Sequence, residues 1–191
     1  MIDMKSSLEK FKSFVPMIKA CCALLQPKLV VEYGPGTSTQ CFLDHSVADI
    51  YSWESHSSFC AQAQKRFEGS SRVHIELGDT RAGSGKKGVY VNAPYVKFGP
   101  KSVDVVFVDG RHRADCMVCA SLIVKDKGVV ILHDDERAVY EPGRKMFSCR
   151  FQDLSHIVGV YGHDFEVIQE IEKMYANVPK ELGEYQDVQP V

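Results

Sequence analysis

Five segments of this chain place ligand-binding or proton-moving residues directly after a run of β-branched or aromatic residues. Leu29-Val30-Val31 runs into Glu32-Tyr33-Gly34-Pro35-Gly36-Thr37-Ser38-Thr39. Two glycines there let backbone approach a ligand closely, and the hydroxyls and amides of Thr37, Ser38 and Thr39 can cap a helix or bind the ligand themselves. About 20 residues further on, Trp53-Glu54 ends a second run, a separation that fits a mononucleotide-binding half, with Glu54 suited to the two hydroxyls of an adenosine ribose. Gly78-Asp79 ends a third, positioned for an adenine amino group. Val108-Asp109-Gly110-Arg111-His112 ends a fourth and His133-Asp134-Asp135 a fifth. Each has a plainer use as well. Glu32 suits a helix cap, Glu54 a surface carboxylate, Asp79 an Asx-turn, Asp109-Gly110 an ordinary turn, and Asp134 with Asp135 helix caps. Cys116 and Cys119 share a helix face and have no second Cys/His pair at zinc spacing, which favours core packing.

Such residues meet only if the five runs are neighbouring strands, and the pattern between them supports this. Strands at Leu29–Val31, Ile50–Trp53, Val73–Leu77, Val103–Val108 and Val129–Leu132 alternate with helices at about Ser38–His45, Ser57–Phe67 and Arg111–Val124. This predicts an α/β fold, a three-layer Rossmann-like doubly wound sheet, mostly parallel, whose ligand lies beyond the carboxyl ends of the strands. Leu8, Phe11, Phe14, Val15, Ile18, Cys22 and Leu25 recur at helical spacing and predict a lead-in helix within residues 1–27, broken or restarted at Pro16. The glycine- and proline-rich stretch Thr80–Lys101 reads as a lid or irregular crossing, too broken for one long helix. Beyond His133 the expectation is a polar loop, a helix near Arg150–Ile157, and an antiparallel closing hairpin of Glu166–Ile171 and Lys173–Val178. Residues 179–191 read as a tail, so that 1–191 form a single domain.

A formal net charge of -2 gives no overall attraction to a polyanion, so no nucleic-acid partner is expected. Met1 to Lys12 lacks the unbroken apolar core of a signal peptide and no run reaches membrane-spanning length, so no membrane partner and a cytoplasmic location are expected. Seven cysteines, two adjacent and the rest dispersed, read as reduced thiols.

At these motifs, from about Val30 to Asp135, the chain resembles the class I S-adenosylmethionine-dependent methyltransferases, in particular small O-methyltransferases. The resemblance implies that Gly34 and Gly36 lie against the methionine part of the cofactor, with Glu32 near its amino group, Glu54 on the ribose and Asp79 on the adenine. Thr39 stands where a nicotinamide-binding fingerprint wants a third glycine, which counts against an oxidoreductase. The implied reaction is methyl transfer to a hydroxyl of a small molecule or carbohydrate. Asp109, His112 and His133 are the candidates for proton removal. In catechol-type relatives an acid at the fourth strand and two groups at the fifth hold a divalent ion. Asp109, Asp134 and Asp135 fall at matching places, and three converging carboxylates call for a cation such as magnesium or manganese. A non-catalytic cofactor-binding or scaffold module is the alternative.

Overall fold

The computed structural model describes residues 14–78 and 86–178. Helix α1 (Val15–Leu25) carries Pro16 in its first turn, where a missing N–H removes no helical hydrogen bond. Then follow β1 (Leu29–Tyr33), α2 (Thr37–His45), β2 (Asp49–Glu54), α3 (Ser57–Arg66) and β3 (Val73–Leu77). The second half holds α4 (Lys86–Phe98), β4 (Val103–Val108), α5 (Arg113–Ile123) and β5 (Val124–His133). A short helical turn, Ala138–Tyr140, leads into α6 (Glu141–Arg144), the strands β6 (Cys149–Gln152) and β7 (Val158–Gly162), and α7 (Phe165–Asn177).

The seven strands lie in the order β3-β2-β1-β4-β5-β7-β6, with β7 antiparallel to both of its neighbours. Chain order reverses between β1 and β4, which puts a crevice beyond their carboxyl ends. Alternate residues of one strand face opposite layers. Val30, Val105, Phe107, Val129 and Ile131 pack with α1, α2 and α7, whereas Val31, Tyr33, Val106, Val108, Val130 and Leu132 pack with α4 and α5. Burial on both faces is why β1 and β4 read as near-continuous apolar runs.

The predicted doubly wound sheet is therefore present, and three expectations about its surroundings are corrected. Lys86–Phe98 is one continuous helix that keeps Pro94 inside it, although the stretch was expected to be irregular. The closing hairpin exists but is built from β6 and β7, in place of the helix expected at Arg150–Ile157. Glu166–Val178, expected as two strands, is helical up to Asn177 as part of α7, which buries Ile168, Ile171 and Tyr175 at helical spacing and is capped by Asp164 accepting from the Glu166 and Val167 amides. Among the described residues no helix is long and apolar enough to cross a membrane. The first part of the lead-in, the start of the Thr80–Lys101 stretch and the tail lie outside the described residues.

Candidate active site

The loop after β1 is held from three directions. Its Gly34 N–H donates to the Trp53 carbonyl of β2 at 2.9 Å, and the Asp109 N–H after β4 donates to the Tyr33 carbonyl at 3.0 Å. Gly34 has φ +91°, and a Cβ there would stand 3.0 Å from the Gly110 nitrogen, so only glycine allows the two strand ends to approach. The Gly36 N–H donates to Thr39 Oγ1 at 2.9 Å, and that hydroxyl donates to Glu32 Oε2 at 2.5 Å. Ser38 and Ser52 also donate to Glu32, the latter at 2.7 Å. Glu32 is fully buried, and desolvation pushes its carboxyl up to about 7 against the three hydroxyl hydrogen bonds, with Asp109 adding to the rise. It therefore fastens the loop from beneath through Ser38, Thr39 and Ser52.

Above this loop opens a cleft of about 630 Å³ lined by Gly34, Pro35, Gly36, Glu54, His56, Phe59, Asp109, Gly110 and Arg111, among others. Of the residues expected at a cofactor, Gly34, Gly36, Glu54 and Asp109 line it. Thr37, Ser38 and Thr39 open α2, and the last two are buried on Glu32. Asp79 lies outside the described residues. Glu54 accepts the His56 N–H at 2.8 Å. A Cβ added at Gly36 would meet nothing within 4 Å, so the space in front of it is open.

A second cleft, of about 720 Å³, adjoins the first and shares Ser55, His56, Gly110, Arg111 and Arg113 with it; His112, Arg137 and Tyr140 complete much of its wall. His112 is exposed there with φ +55°. His133 lines neither cleft. It is 6% exposed, sets Nδ1 2.9 Å from Asp109 Oδ1, and packs edge-on to Phe14. It serves to hold Asp109, and of the two histidines expected to take a proton only His112 faces open space.

Asp109, His133 and Asp134 bring one donor atom each to within 4.8 Å of one another. Asp135 is not with them. Its buried carboxylate accepts from Tyr161 at 2.6 and 2.8 Å, from Gln152 at 2.8 Å and from Arg144 at 3.2 Å, tying β5 to the hairpin. The expected three-acid metal centre is thus not assembled, and its space is taken by a side chain. Arg113 Nη2 lies 2.8 Å from Asp109 Oδ1 and Nη1 lies 3.0 Å from Asp134 Oδ2. Arg137 reaches the same Asp134 oxygen at 2.8 Å. These arginines and His56 were not singled out from the sequence; the available signals were Arg113 four residues after Asp109 and Arg137 three after Asp134.

No protein-family model matches the chain, and no curated protein matches it. Solved structures do. A methyltransferase-like protein from Silicibacter pomeroyi is 17% identical with a TM-score of 0.61, over 84% of this chain and 94% of that one. A spermidine synthase from Thermotoga maritima is 15% identical with a TM-score of 0.60, over 93% of this chain and 66% of that one. Identities this low speak to architecture alone, and by architecture the chain has a three-layer, doubly wound Rossmann-like fold that it shares with both.

Proposed function

We propose that the chain is an S-adenosylmethionine-dependent methyltransferase whose acceptor is a hydroxyl of a small molecule or carbohydrate. Its main support is the pair of adjoining clefts at the carboxyl ends of β1, β2 and β4, one backed by the Gly34–Gly36 loop and Glu54, the other by His112. The first has the volume and features a nucleoside-bearing cofactor needs: close backbone, open space before Gly36, and a carboxylate at the end of β2 for ribose hydroxyls. When bound, that cofactor supplies an electrophilic methyl group on a sulfonium, a good leaving group. What remains for the protein is to align the acceptor and take its proton.

His112 is the residue for the second task. With that cofactor bound, the His112 imidazole, exposed to the second cleft, would take the proton of the acceptor hydroxyl. Gly110, shared by both clefts, is the wall across which the two ligands meet. No step is routed through a divalent ion, because Asp109 Oδ1 is ion-paired with Arg113 and Asp134 Oδ2 accepts from it.

A thermal-shift and transfer assay tests this. Adenosylmethionine and adenosylhomocysteine are expected to raise the melting temperature and NAD to leave it unchanged, with labelled methyl appearing in a hydroxyl-bearing acceptor from a panel. Stabilisation by NAD alone, or by none of the three, overturns it. Cofactor binding without transfer to any acceptor of the panel counts for a non-catalytic binding module.

A further inference from the structure

The strand ends of β4 and β5 carry two carboxylates at close range, and a single guanidinium spans them. Arg113 is mostly buried, its side chain 13% exposed. Nε donates to the Gly110 carbonyl at 3.0 Å, Nη1 to the His133 carbonyl at 2.6 Å and to Asp134 Oδ2 at 3.0 Å, and Nη2 pairs with Asp109 Oδ1 at 2.8 Å. The Tyr140 ring covers it, 5.7 Å from the guanidinium carbon. Two strand ends are thereby joined through two carbonyls and two carboxylates, and the planar fork satisfies all four at once, which a lysine ammonium does not.

A divalent ion at the same place would sit about 2.0–2.6 Å from Asp109 Oδ1 and Asp134 Oδ2. Asp109 Oδ1 is ion-paired with Arg113 at 2.8 Å and Asp134 Oδ2 accepts from it at 3.0 Å, so the ion and the guanidinium, both positive, exclude one another. We infer that Arg113 is the resident cation of this site: it does permanently what a metal ion would do, holding Asp109 and Gly110 in place at the wall of the two clefts, and it covers a latent divalent-cation site that its removal exposes. Arg113 is a positioning residue. Metal independence of the reaction rests on the proposed methyltransferase activity, whereas the latent ion site does not.

Manganese binding followed by electron paramagnetic resonance, with calorimetry of adenosylhomocysteine on the same samples, decides the matter. Wild type is expected to bind manganese no better at this site than Asp134→Asn, and its adenosylhomocysteine affinity is expected to be the same with and without chelator. Arg113→Ala is expected to gain a manganese site at least about tenfold tighter than anything in wild type, lost again in Arg113→Ala/Asp134→Asn. The same variant is expected to bind adenosylhomocysteine more weakly and to recover in low-millimolar guanidinium, a rescue that general loss of structure does not give. Manganese held by wild type and lost in Asp134→Asn overturns the inference, as does a folded Arg113→Ala with no gain. Should Arg113→Ala fail to fold, Arg113→Gln, which keeps much of the side chain without its charge, is expected to gain the manganese site in its place, and a folded Arg113→Gln with no gain overturns the inference. If adenosylhomocysteine binds to none of these proteins the methyltransferase proposal fails, and the manganese result stands separately.

Discussion

Ser52 on β2 and Glu32 on β1 are direct register partners, and the Ser52 hydroxyl donates to Glu32 Oε2 at 2.7 Å, so a side-chain bond runs inside the sheet alongside the backbone ladder. Burial raises the Glu32 carboxyl from its ordinary 4.5 to about 7. A raised acid is protonated in the folded chain where the unfolded chain is ionised, so its contribution is whole below about 4.5 and is lost as pH climbs through about 7. Relative to Glu32→Gln, wild type is expected to lose stability between pH 5 and pH 8, by at most about 3 kcal/mol. Urea unfolding of both proteins at the two pH values checks this; parallel pH dependence would show that Glu32 does not titrate in that window.

Glu54 is half-buried at the lip of the first cleft, and its carboxylate accepts from its near neighbours Ser55 and His56. Glu54→Ala is expected to weaken adenosylhomocysteine binding about tenfold, about 1.4 kcal/mol, with little change in melting temperature. Calorimetry giving an unchanged Kd would move ribose recognition elsewhere.

The two glycines of the loop are expected to fail differently. Gly34→Ala meets left-handed backbone and the Gly110 amide, so it should cost about 1–3 kcal/mol of stability. Gly36→Val meets no protein atom within 4 Å of its Cβ and should fold normally while losing the cofactor. Melting curves and binding isotherms on the pair separate the two; normal binding by Gly36→Val would show that the loop is not the cofactor cradle.

His112 and His133 also separate. His112→Ala is expected to slow methyl transfer roughly 10²- to 10⁴-fold and to recover partly on adding imidazole. His133→Ala, buried between Asp109 and Phe14, is expected chiefly to lower stability, by about 1–3 kcal/mol. Full activity in His112→Ala would assign proton removal to another group.

The central strands are legible in the sequence because both their faces are buried, leaving apolar runs such as Val103–Val108 that only Asp104 interrupts. The acids at their ends are legible for the same reason, since a polar residue after such a run leaves the core where the crevice opens. Helix α7 is not legible as a helix because Val167-Ile168 followed by Ile171 fits a short strand until Tyr175 and the Asp164 cap are counted. That error carries over to Asp135, whose role depends on Tyr161 and Gln152 in a hairpin that the sequence reading put elsewhere. Arg113 escapes notice because its partners come from both β4 and β5, and spacing along the chain reveals only Asp109.

His112 and Asp134 both have left-handed backbone, with φ +55° and +56°, on either side of the Arg113 clamp. Histidine and aspartate tolerate that region better than most side chains, yet glycine adopts it without steric cost. His112→Gly, although it removes the imidazole, should therefore melt at least as high as His112→Ala, since the backbone at that point relaxes. At Asp134 the pairs with Arg113 and Arg137 offset that backbone cost, whereas at His112 the fold is held slightly below its own best stability, and it is there that a gain in thermal resistance is expected to come with a loss of turnover.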